Sequence, residues 1–157
     1  MATPVALSIC VINFIRQILC NNPTLKAAFK TFLQTQIAAA DLEIALLGAQ
    51  LARLDILNSF AALEIQTLAA VQDKIQASLN VVLGPMQGYA TCPTISKFME
   101  QATSGATAKA LSGFQNLIYT YNRRAYVANA ISSQVKNLQN FVDTATSFIS
   151  LLDQICP

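Results

Sequence analysis

The sequence predicts an all-α protein: a long antiparallel helical hairpin of coiled-coil type, with a short N-terminal helix and a short connector helix, packing into an oligomeric helical bundle. Three observations predict it. Hydrophobic residues make up 54% of the chain and charged residues only 11%. From Thr24 to Leu83 there is no proline and a single glycine, Gly48. Apolar residues recur at alternating steps of four and three in both halves of the chain, the period of a supercoiled helix seam. The 157 residues fit one domain spanning 1–157, with helices expected at about 4–20, 24–83, 93–102 and 106–152.

The first helix follows Thr3-Pro4, where a threonine can cap and proline occupies the first helical position without losing an amide bond. It is apolar apart from Ser8, Asn13, Arg16 and Gln17, and stops at Asn21-Asn22-Pro23, because a residue before proline resists helical angles. The stretch is greasy enough to suggest a signal peptide. No Lys or Arg precedes it, however, and Arg16 interrupts it, so we read it as structure.

The second helix is justified by its register. Leu33, Ile37, Ala40, Ile44, Leu47, Leu51, Leu54, Asn58, Ala61, Ile65, Leu68, Gln72, Ile75, Leu79 and Val82 form one row, with Asn58 and Gln72 its only polar members. At about 1.5 Å per residue the helix would be about 90 Å long. Asn58 and Gln72 are candidates for fixing register or oligomer state, since a polar seam residue specifies pairing at a cost in stability; the alternative is that the supercoil turns them outward. A second row, with Leu42, Leu46, Ala49, Ile56, Phe60, Leu63 and Ala70, exceeds what one partner helix can cover. Ile44, Leu47, Leu51, Leu54, Phe60, Leu63, Ile65 and Leu68 are therefore the expected oligomer seam.

Gly84-Pro85 is expected to end that helix, and Gly88 and Cys92-Pro93 to keep the connector irregular. Ile95, Phe98 and Met99 mark a short helix before Ser104-Gly105. The last helix carries the row Ala110, Phe114, Leu117, Tyr121, Arg124, Ala128, Ile131, Val135, Leu138, Val142, Ala145, Ile149 and Leu152, with Arg124 its one charged member. Folded back antiparallel, the two long helices place Glu64 level with Arg123 and Arg124, and Asp55 level with Lys136, as candidate ion pairs. The tyrosine-rich stretch around Arg123 and Arg124 reads as bundle packing in preference to a binding spot.

Composition argues against several functions. A net charge of +2 with dispersed basic residues gives no nucleic-acid footprint. No window holds the ~18 apolar residues of a membrane-spanning helix, so an integral membrane protein is not expected. The chain has no His, no Gly-rich phosphate loop and no serine elbow, and Asp41 and Glu43, two apart on a helix, point away from each other. We therefore expect no catalytic residues, metal, cofactor or small-molecule substrate. Cys10, Cys20, Cys92 and Cys156 form no CxxC pair. The first expectation is four buried free thiols, which behave as small hydrophobes; if oxidation occurs, Cys20 and Cys156 share an end of the hairpin, so Cys20–Cys156, or else Cys10–Cys156, is the expected pair, with Cys92 at the far end, free or linked between chains. Low charge with high apolar content suits a structural component of a permanent assembly, such as a virion, a phage tail or an injection apparatus. A membrane-active secreted or injected helical protein and a helical chaperone or adaptor are the alternatives, and the compartment is undetermined.

Overall fold

The computed structural model describes residues 9–52, 62–104 and 124–156, with side chains described for 9–51, 66–103 and 128–156. Among the described residues the chain is all-helical, with five helices. α1 spans Ile9–Phe14 and runs into a π-helical turn, Ile15–Leu19, closed by the Cys20 amide donating to the Ile15 carbonyl at 2.8 Å. α2 spans Pro23–Ala52, α3 Ala62–Gln87, α4 Pro93–Ser104 and α5 Arg124–Ile155.

The local chemistry sets these boundaries. The Asn22 side-chain oxygen accepts from the Leu25 amide at 3.1 Å, capping α2, and Pro23 takes the first helical position. Pro93 opens α4 in the same way, with the Ser96 amide bonded to the Cys92 carbonyl at 2.9 Å. α3 does not stop at Gly84-Pro85 as expected but continues to Gln87. Proline removes only its own amide, and the carbonyl four residues back belongs to Val81, an exposed position that water can reach. α4 likewise runs two residues past the expected 102, and α5 ends at Ile155 instead of 152.

The main correction concerns the stretch 24–83, which is not one rod. α2 and α3 are separate helices that pack side by side. Contacts at one end of the bundle fix the directions. Phe14 packs edge-to-face against Phe29 near the start of α2 and against Tyr89 just past the end of α3, with centroids 5.3 and 5.1 Å apart. Phe148 near the end of α5 meets Phe29 at 5.4 Å. α3 and α5 therefore both run antiparallel to α2. Phe98 of α4 faces Phe29, and the Ala102 carbonyl farther along α4 lies beside Gln72, so α4 runs with α2 and against α3. The four longer helices alternate up and down, and α1 with its π turn lies across the end where Cys20 meets Cys156.

Among the described residues, this topology buries part of the rows that a straight rod would expose. Leu33, Ala40 and Leu47 on α2, Leu68, Ile75, Leu79 and Val82 on α3, and Ile131, Leu138, Ala145 and Leu152 on α5 are buried in one core. Among the described residues, the exposed large hydrophobic side chains are Ile9 and Val81.

Candidate functional site

The core changes character along its length. At the cysteine end it is aromatic: Phe98 packs edge-on against Phe141 at 6.0 Å and Phe148 at 5.3 Å, and Phe29 lies 5.9 Å from Phe32. Farther along, the buried stripe of α2 becomes polar. Gln36, Glu43 and Gln50 are fully buried and spaced by seven residues, so they project in one line into the bundle. Each neighbouring helix adds an amide near this level: Gln72 from α3, Gln101 from α4 and Gln134 from α5.

These amides have partial partners. Gln36 donates through Nε2 to the Phe98 carbonyl at 3.3 Å. Gln72 donates to the Ala102 carbonyl at 2.7 Å, and Gln76 reaches the same oxygen at 3.4 Å. Ala102 lies in the last turn of α4, where carbonyls have no intrahelical donor, so α3 caps α4. Gln72, expected to set register between copies or turn outward, points inward and serves its own chain. The Gln36 and Gln72 side-chain carbonyls and the Gln101 amide nitrogen are buried without a hydrogen-bond partner.

Glu43 is the centre of this layer. It has no measurable exposure, and neither carboxylate oxygen has a partner at hydrogen-bonding geometry. Burial pushes its pKa up from 4.5 to about 8; the Gln134 side chain acts in the opposite sense and is outweighed. Glu43 is therefore mostly a neutral carboxylic acid at pH 7. Register explains why Gln134 faces it: two heptads beyond the Phe29–Phe148 contact in α2, and two heptads before it in α5, stand Glu43 and Gln134.

Gln134 also lines a cavity of about 290 Å³ between α4 and α5, together with Lys97, Glu100, Gln101, Asn137 and Asn140, over Leu138 and Phe141. The lining offers amide donors and acceptors and one charge of each sign. Among the described residues, no group of three or more His, Cys, Asp or Glu side chains could hold a metal ion, and no helix is long and apolar enough to cross a membrane.

The second constellation is the cysteine end. Cys20 and Cys156 form a disulfide, Cα atoms 5.4 Å apart. Lys26 donates to the Cys156 carbonyl at the C-terminal end of α5, where the helix dipole favours a cation, and Lys30 pairs with Asp153 at 2.9 Å. Cys92, expected at the opposite end from Cys20, lies at the same end, because α3 returns the chain to the pole where α2 began. Cys10 and Cys92 are free thiols.

The other residues singled out from the sequence are placed as follows. Leu47 and Leu68 are buried within the chain, and Ile44 and Leu51 are half-buried against the same core. Leu54, Asp55, Asn58, Phe60 and Arg123 lie outside the described residues, as do the side chains of Leu63, Glu64, Ile65 and Arg124. Lys136 is exposed. Sequence reasoning missed the polar row. Its signal was the seven-residue spacing of Gln36, Glu43 and Gln50 among buried Leu33, Ala40 and Leu47.

No protein family, no curated protein and no solved structure matches this chain.

Proposed function

We propose that this chain is a non-enzymatic assembly component that associates with copies of itself in a larger helical complex, through the outer face of α2. The observation that carries this reading is that face's composition. The exposed positions Thr24, Ala27, Thr31, Gln34, Ala38, Asp41, Ala45 and Gly48 follow one another at helical spacing, and Asp41 is the only charge among them. Small side chains set the shortest distance between packed helix axes, so this stripe lets another helix approach closely with little charge to desolvate. The sequence argument rested on two apolar rows: the chain buries members of the first, such as Leu47 and Leu68, while Ala49 and Ala70 of the second are exposed; the outer stripe of α2 adds support for self-association.

The Cys20–Cys156 disulfide supports an oxidising setting, such as a virion or extracellular assembly. A membrane-acting role would need the N-terminal helix free, whereas Val11, Phe14, Ile15 and Leu19 have no exposure. Sedimentation velocity across micromolar concentrations tests the proposal. Wild-type protein should sediment as an oligomer, and Ala38→Glu with Ala45→Glu should shift it to monomer while helical circular dichroism is unchanged. A wild-type monomer throughout that range, or a double variant that assembles normally, refutes it.

A further inference from the structure

Two thiols that the disulfide leaves unpaired face each other at the same pole. Cys10 lies on α1 one helical turn before Phe14, and Cys92 lies three residues after Tyr89, bound to it by the Cys92 amide donating to the Tyr89 carbonyl at 2.9 Å. Phe14 and Tyr89 are in ring contact at 5.1 Å, and the Tyr89 hydroxyl donates to the Gln17 side-chain oxygen at 2.8 Å. α1 and the α3–α4 connector are thus held together on successive rungs. On the next rung Cys10 and Cys92 are neighbours, near enough for the Cys92 side chain to act on the Cys10 thiol. Cys92 is buried at 1% exposure, while Cys10 is half-exposed and packed against the same core.

We propose that Cys10 and Cys92 form a second intrachain disulfide by exchange with a low-molecular-weight disulfide such as oxidised glutathione. The exposed partner reacts first. The Cys10 thiolate attacks one sulfur of the small disulfide, whose S–S bond breaks to release one small thiolate and leave a mixed disulfide on Cys10. The Cys92 thiolate then attacks the Cys10 sulfur and displaces the second small thiolate. Two protein thiols are oxidised by two electrons, the small disulfide is reduced to two thiols, and the two protein protons pass to the leaving thiolates. The N-terminal helix is then clasped at both ends: its start to the α3–α4 connector, and its end, through Cys20, to the end of α5.

Partial burial and the neighbouring Cys92 push the Cys10 thiol up to about 11. The thiolate is scarce at neutral pH, and the first step should speed up about tenfold per pH unit between pH 7 and 9. The basic residues make the mapping direct, because cleavage at Arg16, Lys26, Lys74, Lys97 and Lys136 puts the four cysteines on four separate peptides. The full chain is equilibrated in a glutathione redox buffer at pH 8, its remaining thiols are alkylated in denaturant, and it is digested with trypsin without reduction.

Mass spectrometry should find the peptide carrying Cys10 joined to the one carrying Cys92, beside the Cys20–Cys156 pair, from material that runs as monomer on a non-reducing denaturing gel. Alkylated Cys10 and Cys92 beside an intact Cys20–Cys156 bond overturns the proposal, as does a Cys10–Cys92 link found only in a covalent dimer. Cys92→Ser should hold glutathione on Cys10 as a stable mixed disulfide, and unmodified Cys10 in a folded variant refutes the route. Should that variant not fold, the wild-type peptide map decides alone.

Discussion

Glu43→Gln should stabilise this protein at neutral pH, and by an amount that depends on pH in a defined way. The wild-type carboxyl is raised from 4.5 to about 8 by burial, so the folded state holds its proton more tightly than the unfolded state does. Below pH 4.5 both states carry the proton and the site imposes no penalty. As pH rises through the window from 4.5 to about 8, the unfolded chain ionises first and gains what the fold withholds, so stability falls; above about 8 the loss is complete. At about 1.4 kcal/mol per tenfold in proton affinity, the loss is about 3 kcal/mol at pH 7 and about 5 kcal/mol on the alkaline plateau. Glutamine has nearly the shape of the neutral acid and does not titrate, so the variant escapes this loss. The expected gain at pH 7 is about 3 kcal/mol, shrinking below about 1 kcal/mol at pH 5. For a chain of this size that gain corresponds to about 6 to 12 °C in Tm. Urea unfolding of both proteins at pH 5, 6, 7 and 8, with fixed ionic strength and comparison at equal m, provides the assay. A variant no more stable than wild type at pH 7, or a difference that stays flat from pH 5 to 8, would show that Glu43 is ionised or solvated in the fold.

Three further substitutions have defined outcomes. Cys156→Ser opens a covalent loop with a sequence separation of 136; chain entropy then predicts a loss of about 3 to 5 kcal/mol, seen as a lower urea midpoint that reductant reproduces in wild type and leaves unchanged in the variant. Phe98→Ala removes the ring that meets Phe29, Phe141 and Phe148 and should cost about 3 to 5 kcal/mol in the same assay, whereas Lys136→Ala, at an exposed position, should lie within about 0.5 kcal/mol of wild type.

The helices were legible because their period was, and the topology was not because periodicity does not say where a chain reverses. From Thr24 to Leu83 no proline or glycine pair marks a turn, and the heptad spacing runs through 53–61 with Asn58 as the one polar member there, so nothing local distinguished a rod from two packed helices. The cysteine pair was identified by position at the two flanks of the helical region. A rod hairpin and an alternating bundle both return α5 to the start of α2, so that inference survives the change of topology. The placement of Cys92 does not, because it depends on the number of reversals before the connector.

The hidden face of α2 and of α5 was missed by one residue at alternate positions, for a physical reason that also hid the candidate site. Alternating steps can be ordered four then three, or three then four. The first order takes Leu33, Ile37, Ala40, Ile44, Leu47 and Leu51 on α2, all apolar; the second takes Leu33, Gln36, Ala40, Glu43, Leu47 and Gln50, and it is the second that is fully buried. The same rotation on α5 replaces Val135, Val142 and Ile149 by Gln134, Phe141 and Phe148, the last two buried. Hydrophobic scoring chooses the first order on both helices, because it counts a polar residue on the inner line as an error. The two helices nevertheless agree on the second order, and antiparallel pairing requires that agreement, since Phe29 with Phe148 and Glu43 with Gln134 are separated by two heptads in both strands of the pair. A polar row that keeps heptad spacing on one helix, and meets an amide or aromatic row of the same phase on its antiparallel partner, is therefore better read as an interior layer than as a solvated face.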